Sequence, residues 1–368
     1  MKRLGSNALL VALFIVLMIT SSCGFKDLDK RFFVLGIGVD LSDNPEKPYR
    51  VTLKLGIASP RIEPGETNNF QMISQDAGTI TEAVRLLKSK VDKELDFGHA
   101  KVIIFGKSLA TQDIQTPLDW FLRRRDIQKI ASVAIGDPSA KEVLSIKVIS
   151  ERLPGNSLFL SFDNEGTDSS YLMTENLSDL HRRMTERGKD GYLPVIQPIN
   201  QSYNINHIAL LDKQKAKVFL SPDHTRIVNE LVRGFSNIDI HTIQENNSFN
   251  IAVNQLKVKY AISGVSAGTP AIQMNLTLNG MVEESRRPIY TEDWSSLQKI
   301  AGLEVKERVE KVLQLMQKNG LDPIGFGLRY RAMGHISDQD WEQWTALYPS
   351  IPMNVNVQLK ILGSGVIK

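Results

Sequence analysis

Hydrophobic positions fall into three patterns along this chain. Unbroken apolar runs come first: residues 31–40 (RFFVLGIGVD) predict a buried strand, and 101–105 and 131–135 predict two short ones. Strict alternation predicts half-buried strands. Val51, Leu53, Leu55 and Ile57 share one face over 49–57, and Asp43, Asn44 and Pro45 just before supply turn chemistry, so the first two strands predict a hairpin. Longer alternations at 248–262 and 271–284 are separated by Gly264, Gly268 and Pro270, and a last strand at 354–361 carries Val355, Val357, Leu359 and Ile361. The helical period appears over 79–92, where Ile80, Ala83, Val84, Leu87 and Val91 form one stripe. Helices are also predicted at 117–124, from Asp137-Pro138 onward, and at 177–187 and 338–347. Ser221-Pro222-Asp223 starts a helix that runs through Arg233 and is closed by Gly234. The longest helix, 294–318, ends in Asn319-Gly320, a left-handed C-cap signal, and Gly302 marks where it would break.

Between these elements, 59–75 is polar with Pro60, Pro64 and Gly65 and predicts an exposed loop. Periodicity fades over 151–170, and 191–201, with Pro194 and Pro198, predicts an extended crossover. Residues 206–211 and 216–220 predict a hairpin around 212–214. Strands beside hairpins with helices set irregularly between them indicate an α+β fold: two or three mixed domains, mostly antiparallel sheets and flanking helices. At roughly 150 residues per domain, a length of 368 agrees with that count. The expected division is an N-terminal α+β region at 31–203, as one or two domains with 151–200 loop-rich, and a C-terminal α+β domain at 204–368.

Composition changes this picture at one end only. Apolar and charged fractions of 42% and 23% are those of a globular protein. The net charge of +3 gives no reason to expect nucleic-acid binding. A single cysteine excludes an intramolecular disulfide framework and a Cys-cluster zinc site. That cysteine stands at 23, behind Lys2, Arg3, an apolar core at 8–19, and Thr20, Ser21 and Ser22. A basic start, a short apolar core and small residues describe a secretory signal peptide over 1–22. A cysteine just after it resembles a lipobox, in which the thiol receives a diacylglyceryl group and becomes the mature N-terminus. The expectation is therefore a lipoprotein signal peptide, a lipidated Cys23 and a tether at 23–30. One acyl chain holds a protein to a membrane only marginally and two hold it stably, each buried methylene contributing about 0.8 kcal/mol. Removing Lys2 and Arg3 leaves 42 basic against 41 acidic side chains, so the lipid rather than net charge would do the anchoring.

Candidate chemistry is sparse. Gly36-Ile37-Gly38 lacks the third glycine of a dinucleotide fingerprint, which would fall at Leu41. His99, His181, His207, His224, His241 and His335 are scattered without metal-ligand spacing. Asp96-Phe97-Gly98 stands without the other kinase motifs, and Gly264-Val265-Ser266-Ala267-Gly268 has the GxSxG spacing but separates two alternating stretches, so no strand-to-helix nucleophile elbow occurs. Arg123 to Arg125, followed by Asp126, reads as a solvated, partly paired face, and Trp341 with Trp344 reads as core packing. No catalytic residue, metal ligand or cofactor is assigned.

Several segments together resemble the Ger(x)C family of spore germination lipoproteins. They begin at Cys23 and Gly36-Ile37-Gly38-Val39-Asp40, with the alternating strand after it. They continue through Lys93 to Gly106 (KELDFGHAKVIIFG) and Leu118-Asp119-Trp120-Phe121-Leu122-Arg123 on to Asp126-Ile127. Asp322-Pro323-Ile324-Gly325-Phe326-Gly327, Trp341 with Trp344, and Val355 to Gly363 follow in order. The resemblance implies a non-enzymatic C subunit of a nutrient germinant receptor. Such a subunit would be held by its N-terminal lipid on the outer face of the spore inner membrane and act with an A subunit and an integral-membrane B subunit. It also implies an elongated three-domain α+β architecture and supplies no catalytic residues. The rival expectation is an extracellular lipoprotein that binds or hydrolyses a small ligand on its own.

Overall fold

A computed structural model describes residues 30–56, 70–148, 156–162, 169–234, 237–244, 247–265, 268–286, 293–334 and 336–364. The apolar leader, Cys23, the tether up to residue 29, the stretch 57–69 and His335 lie outside the described residues.

Strand β1 (Arg31–Leu41) sits between two neighbours and is covered on both sides, which is why it reads as a continuous apolar run. β2 (Tyr49–Gly56) pairs with it antiparallel, Val39 opposite Val51 and Ile37 opposite Leu53. β3 (Phe70–Ala77) pairs antiparallel with β2. On its other side β1 runs parallel to β4 (Glu94–Asp96) and β5 (Val102–Gly106). Parallel pairing continues through β6 (Ser132–Gly136) to β7 (Gly191–Ile199), before β8 (Ser202–Leu211) and β9 (Ala216–Phe219) return antiparallel. The sheet order is thus β3-β2-β1-β5-β6-β7-β8-β9, with β4 beside β1. The centre of this sheet is parallel, which local alternation had not signalled, and its two flanks are antiparallel.

Helices α1 (Ile80–Lys88), α2 (Lys107–Gln112), α3 (Gln115–Arg123) and α6 (Leu177–Thr185) cover one face of the sheet, where Ile37, Val39, Leu53, Ile103 and Phe105 are buried. The shorter α4 (Ala140–Ser145) and α5 (Asn156–Phe162) cover the other face around Val102, Ile104 and Ala134. α4 lies unusually close to β1. A Cβ at Gly36 would stand 2.8 Å from a Leu144 methyl, and one at Gly38 would stand 3.0 Å from Ala140 and Leu144. The two glycines of the first motif therefore make room for a helix, not for a nucleotide.

The second sheet has the order β10-β11-β12-β13, built from β10 (Ile238–Gln244), β11 (Asn247–Ser263), β12 (Ala271–Ser285) and β13 (Met353–Ile361). β12 alternates cleanly between buried and exposed positions. β13 joins it in parallel, so the last strand is not a hairpin partner. α8 (Trp294–Lys318) lays Leu297, Ala301, Val305, Val309, Val312, Leu313 and Met316 on the inner face. It runs through Gly302 without a break. Ahead of it in the chain, α7 (Pro222–Arg233) is capped by Ser221 and ended by Gly234 in the left-handed conformation (φ 67°), as its sequence predicts. α9 (Phe326–Arg331) and α10 (Asp338–Leu347) close the end of the unit.

The two sheets are joined through β8, which is buried on both sides. Ala209 and Leu211 face the core of the first sheet, while Ile208 and Leu210 face the core of the second. β8 and β9 thus belong to the first sheet, and the division drawn at 203/204 passes through β8.

Three further sequence readings need correction. Residues 70–75, read as the end of a loop, form most of β3; its half-buried, polar side chains mark a strand at the edge of the sheet. The supposed crossover at 191–201 is β7. Its prolines are tolerated because pairing with β6 is confined to Val195 and Ile196, between Pro194 and Pro198. Pro138 does not open the helix after Asp137; Ser139 is its N-cap and accepts from the Glu142 N–H.

Candidate functional site

Three of the motifs prove to be one device: an aspartate that accepts backbone N–H groups. Asp40, 5% exposed, takes the Ala140 and Lys141 N–H groups (2.7 and 2.9 Å) at the start of α4. A Cβ at Gly106 would fall 2.0 Å from its Oδ1, so only glycine fits there. Burial raises the Asp40 carboxyl above its usual range, with the two backbone bonds pulling the other way. Asp96 accepts from the Gly98 N–H (2.9 Å) and pairs with Arg31 (2.6 Å). Burial works against its ionisation, but that N–H, His99 and Arg31 outweigh it and lower its pKa.

Asp322 is the third and lies at the junction of the two sheets. Its Oδ1 accepts from the Gly325 N–H and its Oδ2 from the Gly327 N–H, both at 2.7 Å. Burial nevertheless pushes its carboxyl up to about 6. Its own main chain bonds reciprocally with Asp190: the Asp190 N–H donates to the Asp322 carbonyl (2.8 Å), and the Asp322 N–H donates to Asp190 Oδ2 (2.7 Å). Lys213 then ties Asp190 (3.2 Å) to the carbonyls of Arg183 and Glu186 (2.7 and 2.8 Å) at the end of α6. A cation there also meets the negative end of the helix dipole.

Around this core, Gly188 and Gly327 stand back to back. The Leu328 N–H donates to the Gly188 carbonyl (2.7 Å), and a Cβ at Gly188 would come within 2.4 Å of the Gly327 backbone. The buried Arg183 pairs with Glu175 (2.9 Å), lies over the Tyr192 ring (4.6 Å) and reaches the Pro323 carbonyl (3.4 Å). On the outer side Tyr330 stacks on Trp344 at 4.4 Å, and Trp341 packs over Gly327. Asp322, Asp190, Lys213, Arg183 and Glu175 all have partners, so the arrangement is suited to holding two bodies in a fixed relation. Lys213, Asp190 and Gly188 carry no motif of their own in the sequence; a glycine soon after a predicted helix is the sole hint of the turn at 188.

The remaining candidates are structural or scattered. Arg124 pairs with Asp126 and stacks on Phe97 and Trp120 (4.9 and 5.1 Å), while Arg123 projects into solvent. His99 packs edge-on against Phe33, His207 bonds Asn206 and His241 bonds Asn250, three separate places. Among the described residues no group of three or more His, Cys, Asp or Glu is placed to hold a metal. No described helix is long and apolar enough to cross a membrane. Cys23, the one site residue assigned from the sequence, lies outside the described residues.

Open crevices among the described residues include one of about 460 Å³ on the second sheet, beside Gln255, Lys257, Thr277 and Asn279, and three others. One of about 510 Å³ is lined by Asp40, Arg50, Ser108, Ser139, Lys141 and Glu142, and one of about 570 Å³ by Tyr171, Tyr203, Asn204 and Ile205. A third, of about 420 Å³, is lined by Arg226, Asp239, His241, Arg308 and Lys311. Beneath it the buried Glu230 faces Arg226 at 3.7 Å. Burial pushes its carboxyl up to about 7 although Arg226 and Arg308 pull it down. Among the described residues, none of these crevices brings a nucleophile within reach of a base and an anion-stabilising group together.

Comparison with known proteins points one way. Residues 24–198 match the family described as "Spore germination protein N-terminal domain", and 206–365 match "Spore germination B3/GerAC like, C-terminal". Spore germination protein KC of Bacillus subtilis (strain 168) is 19% identical over 331 residues, covering 82% of this chain and 81% of its own. Spore germination protein GerQC of Bacillus cereus is 22% identical over 313 residues, covering 82% and 84%. The crystal structure of the GerBC protein superposes with a TM-score of 0.54 at 16% identity, covering 91% of this chain and all of that one, and so shares its fold.

Proposed function

The chain belongs to the Ger(x)C family of spore germination proteins, and from that premise we propose that it is a lipid-anchored, non-catalytic subunit of a nutrient germinant receptor. The observation that carries this reading is the pair of family matches, in order, over 24–198 and 206–365. In this reading Cys23 carries the acyl chains, and the described domains stand on the outer face of the spore inner membrane beside the A and B subunits. The chemistry of the seam supports a binding and assembly role: Asp322, Asp190, Lys213 and Arg183 are engaged in holding backbone and each other. Confinement by a lipid raises the effective concentration of the domains toward membrane partners without any new contact. A docked pair of sheets held rigidly together can then pass a partner's change of state from one sheet to the other.

Substituting Cys23→Ala tests the anchor. The variant should move from the membrane to the soluble fraction of spore lysates, and germination in response to nutrient should slow. Retention on the membrane with normal germination would remove the anchor from this account.

A further inference from the structure

The outward face of the second sheet is built against local preference. Register places twelve side chains on it in four rows across β11, β12 and β13. The rows are Gln255, Asn279, Lys360; Lys257, Thr277, Gln358; Lys259, Asn275, Asn356; and Ala261, Gln273, Asn354. The alternate positions on these strands point inward to the core of α8. Asn, Lys and Ala are poor strand formers, yet they fill eight of the twelve places. Where a sequence departs from local propensity on a solvent face, something other than folding stability has selected it.

No carboxylate stands among the twelve; along β12, Glu283 and Glu284 come only after Met281. Among the described residues Lys257, Lys259 and Lys360 have no ion-pair partner, while amides bond from strand to strand within rows, Asn279 to Gln255 (2.9 Å) and Asn356 to Asn275 (3.4 Å). At one margin two exposed apolar side chains lie together. Met281 is 43% exposed, and Leu362, 50% exposed, bonds through its N–H to the Gly280 carbonyl (2.8 Å).

We propose that this face rests on an anionic membrane surface, its lysines on lipid phosphates, its amides on headgroup oxygens, and Met281 with Leu362 seated between headgroups. A protein partner fits it poorly, because interfaces between proteins are centred on apolar and aromatic side chains and this face has none at its centre. Single-stranded nucleic acid needs aromatic platforms on which bases stack, and these are also missing. A positively charged surface, carboxylate-free over these twelve positions and with an apolar margin, is what a headgroup layer accommodates. The inference concerns which side of the molecule faces the bilayer and does not depend on acylation at Cys23.

The test uses the full chain on vesicles of phosphatidylcholine alone or with 30% phosphatidylglycerol, followed by brief amine acetylation and mass spectrometry. Lys257, Lys259 and Lys360 should acetylate at least about fivefold more slowly on the anionic vesicles, while Lys299 and Lys318 of α8 react as before. High salt should restore the three, since exposed charges are screened beyond about 3 Å at 1 M. The K257Q/K259Q/K360Q variant should partition to anionic vesicles more weakly by about fivefold per lysine. Equal rates on both vesicles, or equal slowing of all five lysines, would overturn the proposal. If Cys23→Ala leaves the spore membrane but keeps the shielding pattern on vesicles, the anchor and the face are separated.

Discussion

At the residue scale, the motifs owe their form to aspartates facing main-chain N–H groups, and to the glycines that let the chain approach them. In the fold these carboxylates hold backbone. Glu230 differs, because its burial is not relieved by backbone donors. Its carboxyl sits near 7 in the folded chain against an ordinary value of 4.5. The folded chain therefore keeps a proton that the unfolded chain has already released between those limits. The stability this site contributes is full below pH 4.5 and falls as pH rises through about 7. Across that window the loss amounts to at most about 3 kcal/mol. Glu230→Gln, neutral throughout, should flatten the fall, as measured by urea unfolding at pH 5 and pH 7.5. An unchanged slope would mean that Glu230 is ionised in the folded chain.

At the scale of elements, what was legible in the sequence was local. α7 appears between Ser221 and Gly234 because both caps are residues whose chemistry is written beside the helix. β12 appears because one buried face imposes a period of two. What failed was non-local. β3 carries Gln71, Ser74, Gln75 and Asp76 and pairs as an edge strand, so its polar surface read as loop. β7 carries two prolines that only its limited pairing with β6 makes tolerable. Gly302 shows the opposite error, a residue taken to break a helix that the helix absorbs. A Cβ there would meet Val357 at ordinary contact distances of 3.9 to 4.0 Å. Gly302→Ala should therefore stabilise the chain by about 0.5–1 kcal/mol, since alanine costs less helix entropy and no clash opposes it. A lower denaturation midpoint would show that the space is less than it looks.

At the scale of the whole molecule, the candidate site was the least legible part. Asp322 to Gly327 was visible as a motif, but Gly188, Asp190 and Lys213 lie far from it in sequence and had no pattern to announce them. The junction they form should decide whether the two sheets unfold together. With β8 shared between two cores and the seam intact, the expected behaviour is one cooperative transition. Gly188→Val, whose Cβ would strike the Gly327 backbone at 2.4 Å and whose φ of 87° is unfavourable for a branched residue, should split it into two. Calorimetry would show the second sheet melting first or separately. A single transition at the wild-type temperature would mean that the β8 core alone couples the halves.

The parallel pairing of β13 with β12 carries a consequence for timing. β11 and β12 are joined by a short turn and can meet early, whereas β13 arrives only after residues 286–352 have been brought round and α8 has docked. A contact closed over so long a stretch forms late, because the entropy of bringing the ends together must be met first. Until then β12 presents an unpaired edge backed by Met274, Leu276 and Leu278, the kind of surface on which other chains assemble. The interval between the hairpin and its third strand is thus the stage at which this protein is most exposed to aggregation while it folds.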